Sequence, residues 1–581
     1  MSASDFELPT TLPSSVVEAL GSWVRDRFAG AAAAVPTEVA EALANDGLPL
    51  CGVLRREGVE VARSFARRDE TTTSAARVEA LVSDLLADPA AAEAESLELV
   101  VCTGARKLDY RKGHRDFRYL NSNIHRGVLG IELEAAGKHV FWSPIDIVVA
   151  NERIRPRVEA WCRSEGVSPV QLANGDVHAY SNLQLLVPLV ESPHPRSGPA
   201  RPLHRANSIV APETVDRASV QRLADALGDY LFHHVRDDGY LTYMLDPAEG
   251  RDIDGKNNMI RQWMATVAMG RAAAKRPDAE AKYAISHRNI RHNLRHYYRA
   301  TAELGLIEWD GMVKLGAVAL AAIALMEHPQ RAEFERPERK LLATVQGLWQ
   351  PDGSFQTLLK PRNFEHARNF YPGEALLAWA IKLGLEPSDA LASRFQTSFR
   401  YWRTWHRENL NPAFIPWHTQ AYYLEWKRTG NDEYKDFIFE MSDWLLSMQR
   451  TEKLMYPEVL GRFYDPEREH FGSPHASSTG VYMEGLIDAW MLAKEVGDEE
   501  RRERYRAALV RGLRVTMQLC YLEPWQAFYA RDPGDCLGGV RTNIYNTRVR
   551  CDNVQHCLMG ILRLLDRFAD EDYRHPPYAG N

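Results

Sequence analysis

Six stretches of this chain open with chemically able side chains and run on as apolar helices; they begin around Arg261, Lys314, Glu374, His418, Glu484 and Asp552. Close to them in sequence stand Arg368, Tyr371, Trp417, His475, Tyr482, Arg548, Arg550 and His556. Glu374 and Glu484 suit the acid and base of a two-carboxylate glycosidase if their surroundings separate their pKa values. Proton abstraction beside a uronate carboxylate would instead use Tyr482, Tyr371 or His418, with Arg261 or Arg550 stabilising the enolate. Asp552 completes the catalytic candidates. Arginine forks bind carboxylates, and Trp417, Tyr371 and Tyr482 offer flat faces to sugar rings. The substrate-binding candidates are therefore Arg261, Lys314, Arg368, Tyr371, Trp417, His475, Arg548, Arg550 and His556, for an anionic glycan or another anionic polymer. The competing expectation is a rigid binding platform in which Glu374, Glu484 and Asp552 only satisfy buried partners. Cys551 and His556 are near each other, but no Cys-x-x-Cys pair accompanies them, so neither a metal nor a cofactor is expected.

The elements that must position these side chains are helices in pairs. Helical spacing of apolar residues predicts twelve: 220–235, 260–274, 289–304, 314–327, 338–348, 373–383, 390–408, 418–428, 434–449, 481–496, 500–520 and 553–567. One helix of each pair is strongly apolar, as in Gly316-Ala-Val-Ala-Leu-Ala-Ala-Ile-Ala-Leu, and the next is amphipathic. Apolar helices belong inside and amphipathic ones in an outer ring. The polar starts recur at intervals of 53, 60, 44, 66 and 68 positions, which makes six hairpins. Ser478 or Thr479 is the expected cap of the fifth inner helix, placing Tyr482 and Glu484 at its mouth. Connectors such as Asp238-Gly-Tyr240-Leu-Thr-Tyr243 and Trp349-Gln-Pro-Asp352-Gly353-Ser-Phe355 read as glycine turns with aromatic plugs.

With these units the region 205–572 resembles the six-hairpin glycosidase-like superfamily. The resemblance implies a closed α/α toroid, with the first turns of the inner helices converging on one funnel. It also implies hydrolysis, elimination or epimerisation of a glycan, uronate-containing for preference. The alternatives are an enzyme acting on a non-glycan anionic polymer or peptide, and a non-catalytic platform.

Residues 1–190 read differently. Val16 to Phe28 and Ser74 to Leu86 have helical spacing, Leu97 to Cys102 reads as a strand, and Val140 to Trp142 and Ile145 to Val149 are short apolar runs parted by Pro144. Mixed elements of this length give an α+β domain. The order of the strand at Leu50 to Val53, an amphipathic helix, the strand Leu97 to Cys102, the segment Arg126 to Pro144 and the helix Pro156 to Gly166 resembles the AMME-region protein family. That resemblance implies a domain that binds or positions something, a protein partner included. The family's Leu-Arg-Gly-Cys-Ile-Gly run is replaced here by Ser64 to Asp69. A proline-rich linker, 191–204, separates the two regions, and 573–581 forms a tail.

Composition narrows the classes. A formal charge of −7 gives no support to nucleic-acid or anionic-membrane binding, and no run approaches the roughly 20 apolar residues that a bilayer span needs. Seven cysteines without a dense framework suit a reducing compartment, and the first residues lack a basic and apolar leader. Cytoplasmic location is the resulting expectation.

Overall fold

A computed structural model of the protein describes residues 12–577 apart from 45, 112–113, 254, 453–455 and 472–474; the first eleven residues and the last four of the tail lie outside it. The first region is built on an antiparallel sheet. Its strands are β1 (Leu50–Arg56), β2 (Val59–Ala66), β3 (Ser96–Lys107), β4 (Gly130–Ala135), β5 (Lys138–Trp142), β6 (Asp176–Pro188) and β7 (Arg201–Leu203), in the order β2-β1-β3-β6-β4-β5, with β7 also on β6. The seven helices are α1 (Ser14–Phe28), α2 (Thr37–Ala42), α3 (Ser74–Ala87), α4 (Arg115–Leu120), α5 (Pro144–Val149), α6 (Ile154–Glu165) and α7 (Pro169–Ala173).

Strand alternation divides this sheet between two cores. Leu97, Leu99 and Val101 of β3 face α1 and α3, while Val100 and Cys102 face the core that continues into the second region. Gly52 of β1 lies under α3, where a Cβ would come 2.7 Å from Leu85. The apolar run after Pro144 is a helix rather than another strand, because Ser143 and Asp146 form a capping box around Pro144 at the first turn.

The second region is a ring of helices. The inner members are α9 (Met259–Ala273), α11 (Leu315–Glu327), α13 (Tyr371–Leu385), α15 (Ile415–Thr429), α17 (Ala476–Val496) and α19 (Cys551–Arg567). Each packs on the next, and α19 packs on α9, so the ring closes. Outside stand α8 (Arg217–His233), α10 (Ala279–Tyr297), α12 (Glu335–Leu348), α14 (Asp389–Glu408), α16 (Asp432–Leu446) and α18 (Glu499–Leu519), each against its inner neighbour. Because outer helices return the chain, all inner helices begin at one end. Helix α11 shows why it is inside: every residue from Leu315 to Met326 is buried.

Two departures from the sequence expectation concern this ring. Helix α10 ends at Tyr297, not Leu304, and the chain then forms β10 (Tyr298–Ala300), β11 (Gly305–Trp309) and β12 (Met312–Lys314), paired on to β13 (Leu358–Lys360). Asp310 and Gly311, both at positive φ, make the hairpin turn between β11 and β12. A second small sheet joins β8 (Met244–Asp246), β9 (Arg251–Asp252), β14 (Arg541–Asn543) and β15 (Asn546–Arg550), the last running directly into α19.

The first region docks beside that entry. Asn151, just after α5, exchanges hydrogen bonds of 2.7 and 2.8 Å with Thr547 of β15. Arg205 donates to the Arg126 carbonyl at 2.5 Å, and Arg196 donates to the Ala530 carbonyl at 2.7 Å. The segment 191–204 is thus packed and partly strand. No helix among the described residues is long and apolar enough to cross a membrane.

Candidate functional site

The anchor of the site is Asp552, in the first turn of α19. Its carboxylate lies 2.7 Å from Nε of Arg261, from the first turn of α9, and accepts from both Nε and Nη2 of Arg550, the latter at 2.8 Å. Burial opposes ionisation, but the two guanidiniums win and hold the acid down at about 2. One carboxylate between two arginines leaves net positive charge. Arg261 also donates to the hydroxyl of Tyr243, a residue that the sequence placed only in an aromatic connector.

A second carboxylate behaves oppositely. Glu374, in the first turn of α13, is 2% exposed, and its Oε2 is sealed without a hydrogen-bond partner among the described residues. Burial pushes its pKa up to about 8, so the protonated acid prevails at neutral pH. It lies against Gly316 of α11, where a Cβ would collide with Oε2. Gly316 is a positioning residue that the sequence hides within an apolar run. Tyr371, one turn before Glu374, feels both Glu374 and Arg261 and so links the two groups.

Glu484 is entirely buried in α17, and its Oε1 bonds His556 Nδ1 of α19 at 2.7 Å. With Nδ1 carrying the proton, the carboxylate fixes the tautomer that leaves Nε2 as a base. The His556 side chain is 13% exposed and meets the edge of Trp417 with ring centres 6.0 Å apart. Gly480 permits the pairing: its Cβ position lies 2.6 Å from the Cys557 backbone nitrogen, so α17 and α19 approach closely there.

The expected mouth of α17 is corrected. The helix begins at Ala476 with His475 as N-cap and no side-chain cap bond, which puts Glu484 about two turns inside. His475 is kept neutral by burial and then by Arg550. Lys314, at the N-cap of α11, has its ammonium destabilised by burial and by Arg261.

Four expected members stand elsewhere. Tyr482 is two residues from Glu484, on another side of α17, and packs edge-on against Phe463. His418 lies flat on Phe414, with centroids 3.6 Å apart, and bonds the Tyr422 hydroxyl at 2.8 Å; it fills the aromatic layer behind the ring. Burial lowers its pKa well below the usual imidazole range. Arg368 bonds Tyr401 at 2.6 Å and covers Trp405, and Arg548 pairs with Asp246 at 2.8 Å. Cys551 is buried under burial-raised pKa, His556 turns to Glu484, and no cluster of three potential metal ligands occurs among the described residues.

The structure therefore brings together Arg261, Lys314, Tyr371, Glu374, Trp417, His475, Glu484, Arg550, Asp552 and His556, drawn from or flanking all six inner helices.

No protein-family model matches this sequence, and no curated protein does. Among solved structures the chain is similar to a D-mannose isomerase at 11% identity, over 60% of this chain and 98% of that one, with a TM-score of 0.45. It is also similar to cellobiose 2-epimerase from Bacillus thermoamylovorans, at 12% identity over 61% and 100% of the chains, with a TM-score of 0.45. A family 76 glycoside hydrolase from a bovine Bacteroides thetaiotaomicron strain gives 10% identity over 81% and 96%, with a TM-score of 0.41.

Proposed function

We propose that the helical ring is the catalytic unit of an enzyme that moves protons on a polyhydroxylated anionic substrate, a uronate-containing or other anionic glycan, by epimerisation, isomerisation or elimination. The Glu484–His556 pair beside Trp417 carries this reading. His556 is the base, Glu484 orients it, and neutral Glu374 is the acid. Arg261, Arg550 and Lys314 receive the anionic group and steady developing oxyanion charge, while Asp552 fixes the two arginines. Hydrolysis by Glu374 and Glu484 as a carboxylate pair is less well supported, because Oε1 of Glu484 is committed to His556. The platform reading fits Asp552, which is locked in an ion pair, but it gives the buried Oε2 atoms of Glu374 and Glu484 no hydrogen-bond partner among the described residues. In the same proposal the sheet domain is an AMME-region-like positioning module.

The test is NMR of neutral and uronate-containing saccharides incubated with the protein in D2O. Loss of a carbon-bound proton signal, or an unsaturated product, supports proton transfer. A new reducing end without exchange at carbon would make the protein a hydrolase, and a silent panel would favour the platform.

A further inference from the structure

Two arginines at the seam between the sheet domain and the ring are buried with guanidinium nitrogens that meet no hydrogen-bond acceptor among the described residues. Arg126, from the segment before β4, is 6% exposed, and its Nε and Nη2 are sealed with no acceptor among the described residues. Arg462, in the connection between α16 and α17, is 9% exposed, and its Nε is likewise sealed and unpartnered. Buried donors are almost always satisfied, and a buried charge left alone is costly. Burial, the first influence on both, lowers each guanidinium to about 10, so both stay charged at neutral pH.

Among the described residues, the carboxylates that act on these arginines pair with other cations. Glu458 beside Arg462 is engaged by Arg205 at 2.5 Å and lies 3.0 Å from His204. Glu152, which acts on Arg126, is more than half exposed and lies 3.9 Å from Arg157. Further cations gather instead: Arg548 and Arg153 both act on Arg126. Tyr545 stands among these groups, 5.8 Å from the Arg126 guanidinium and within the field of Arg462; burial keeps its phenol protonated, as a donor. Arg462 shares the wall of a small cavity with Glu458, and with His475 and Thr479 at the start of α17.

We propose that Arg126, Arg462 and Tyr545 form an oxyanion-binding site at the domain seam, taking a carboxylate or phosphate group. The two arginines come from different domains, so the site exists only when the sheet domain is docked. An anion would bind here whatever reaction the ring performs.

The experiment is calorimetric titration of the full chain with inorganic phosphate, glucuronate and glucose at constant ionic strength. Wild type should bind an anion saturably and ignore glucose. Phosphate binding marks a free oxyanion site, whereas glucuronate binding without phosphate binding marks one that takes the anion as part of a sugar. Arg126→Met and Arg462→Met should each weaken that binding at least about tenfold, the loss expected when an arginine fork is removed. Should either methionine variant fail to fold, Arg126→Lys and Arg462→Lys are read the same way, since lysine does not reproduce the fork. Absence of anion binding by wild type, or unchanged binding in the folded variants, would overturn the proposal.

Discussion

Glu374 and Asp552 are both buried carboxylates at inner-helix starts, yet one is held neutral and the other ionised. The difference is what faces them: Gly316, with no cation to offset burial, for Glu374, and two guanidiniums for Asp552. Glu374 binds its proton more tightly folded, at about 8, than at the ordinary 4.5. Its contribution to stability is thus complete below pH 4.5 and is lost as pH rises toward 8. Glu374→Gln, which stays neutral, should match wild type near pH 4 and exceed it by up to about 4 kcal/mol at pH 8 in urea titrations. A gap that does not grow with pH would show that Glu374 ionises normally. For the pair, Glu484→Gln should lower kcat by about 10²–10³ with little change in KM, and adding His556→Asn should lower it scarcely further, because the two act as one unit. Residue types were readable from sequence, but orientation was not. His418 and Arg368 lie at helix starts as expected, yet face an aromatic layer, because a helix apolar on all sides does not reveal which side turns inward.

Among elements, α17 and α19 hold the Glu484–His556 pair on which the proposed chemistry rests. Their close approach rests on Gly480, and Gly480→Ala should cost about 1–3 kcal/mol by overpacking, measured by denaturant titration. The same change should separate Glu484 from His556 and depress activity more than the stability loss alone accounts for. An alanine variant with wild-type stability would deny that contact. Apolar periodicity located all twelve ring helices, though it misplaced α10, starting it ten residues late and reading β10 as continued helix. The Asp310-Gly311 turn was the available signal. The start of α17 was missed for another reason: Ser478 and Thr479 are good caps by type, but the helix opens at His475 without any side-chain cap.

At the scale of the molecule, ring closure depends on contacts between α19 and α9, more than 270 residues apart, which no local pattern in the sequence displays. Alternation of apolar and amphipathic helices implied an inner and an outer layer, and the contacts supply the order. The docking of the sheet domain was illegible, because single polar residues such as Asn151 and Thr547 form it across 396 positions. Glu458→Ala removes the carboxylate from a buried Arg205 and should cost about 3–5 kcal/mol, seen as a lowered urea midpoint; a near-neutral effect would mean that this ion pair does not hold the fold. The most direct test of the proposed chemistry compares wild type with His556→Asn on the same saccharide panel in D2O, following deuterium at carbon by NMR. Deuterium incorporation by wild type that falls at least about 100-fold in a folded His556→Asn variant is the predicted result. Equal incorporation by both proteins, or turnover with no deuterium at carbon, would contradict it.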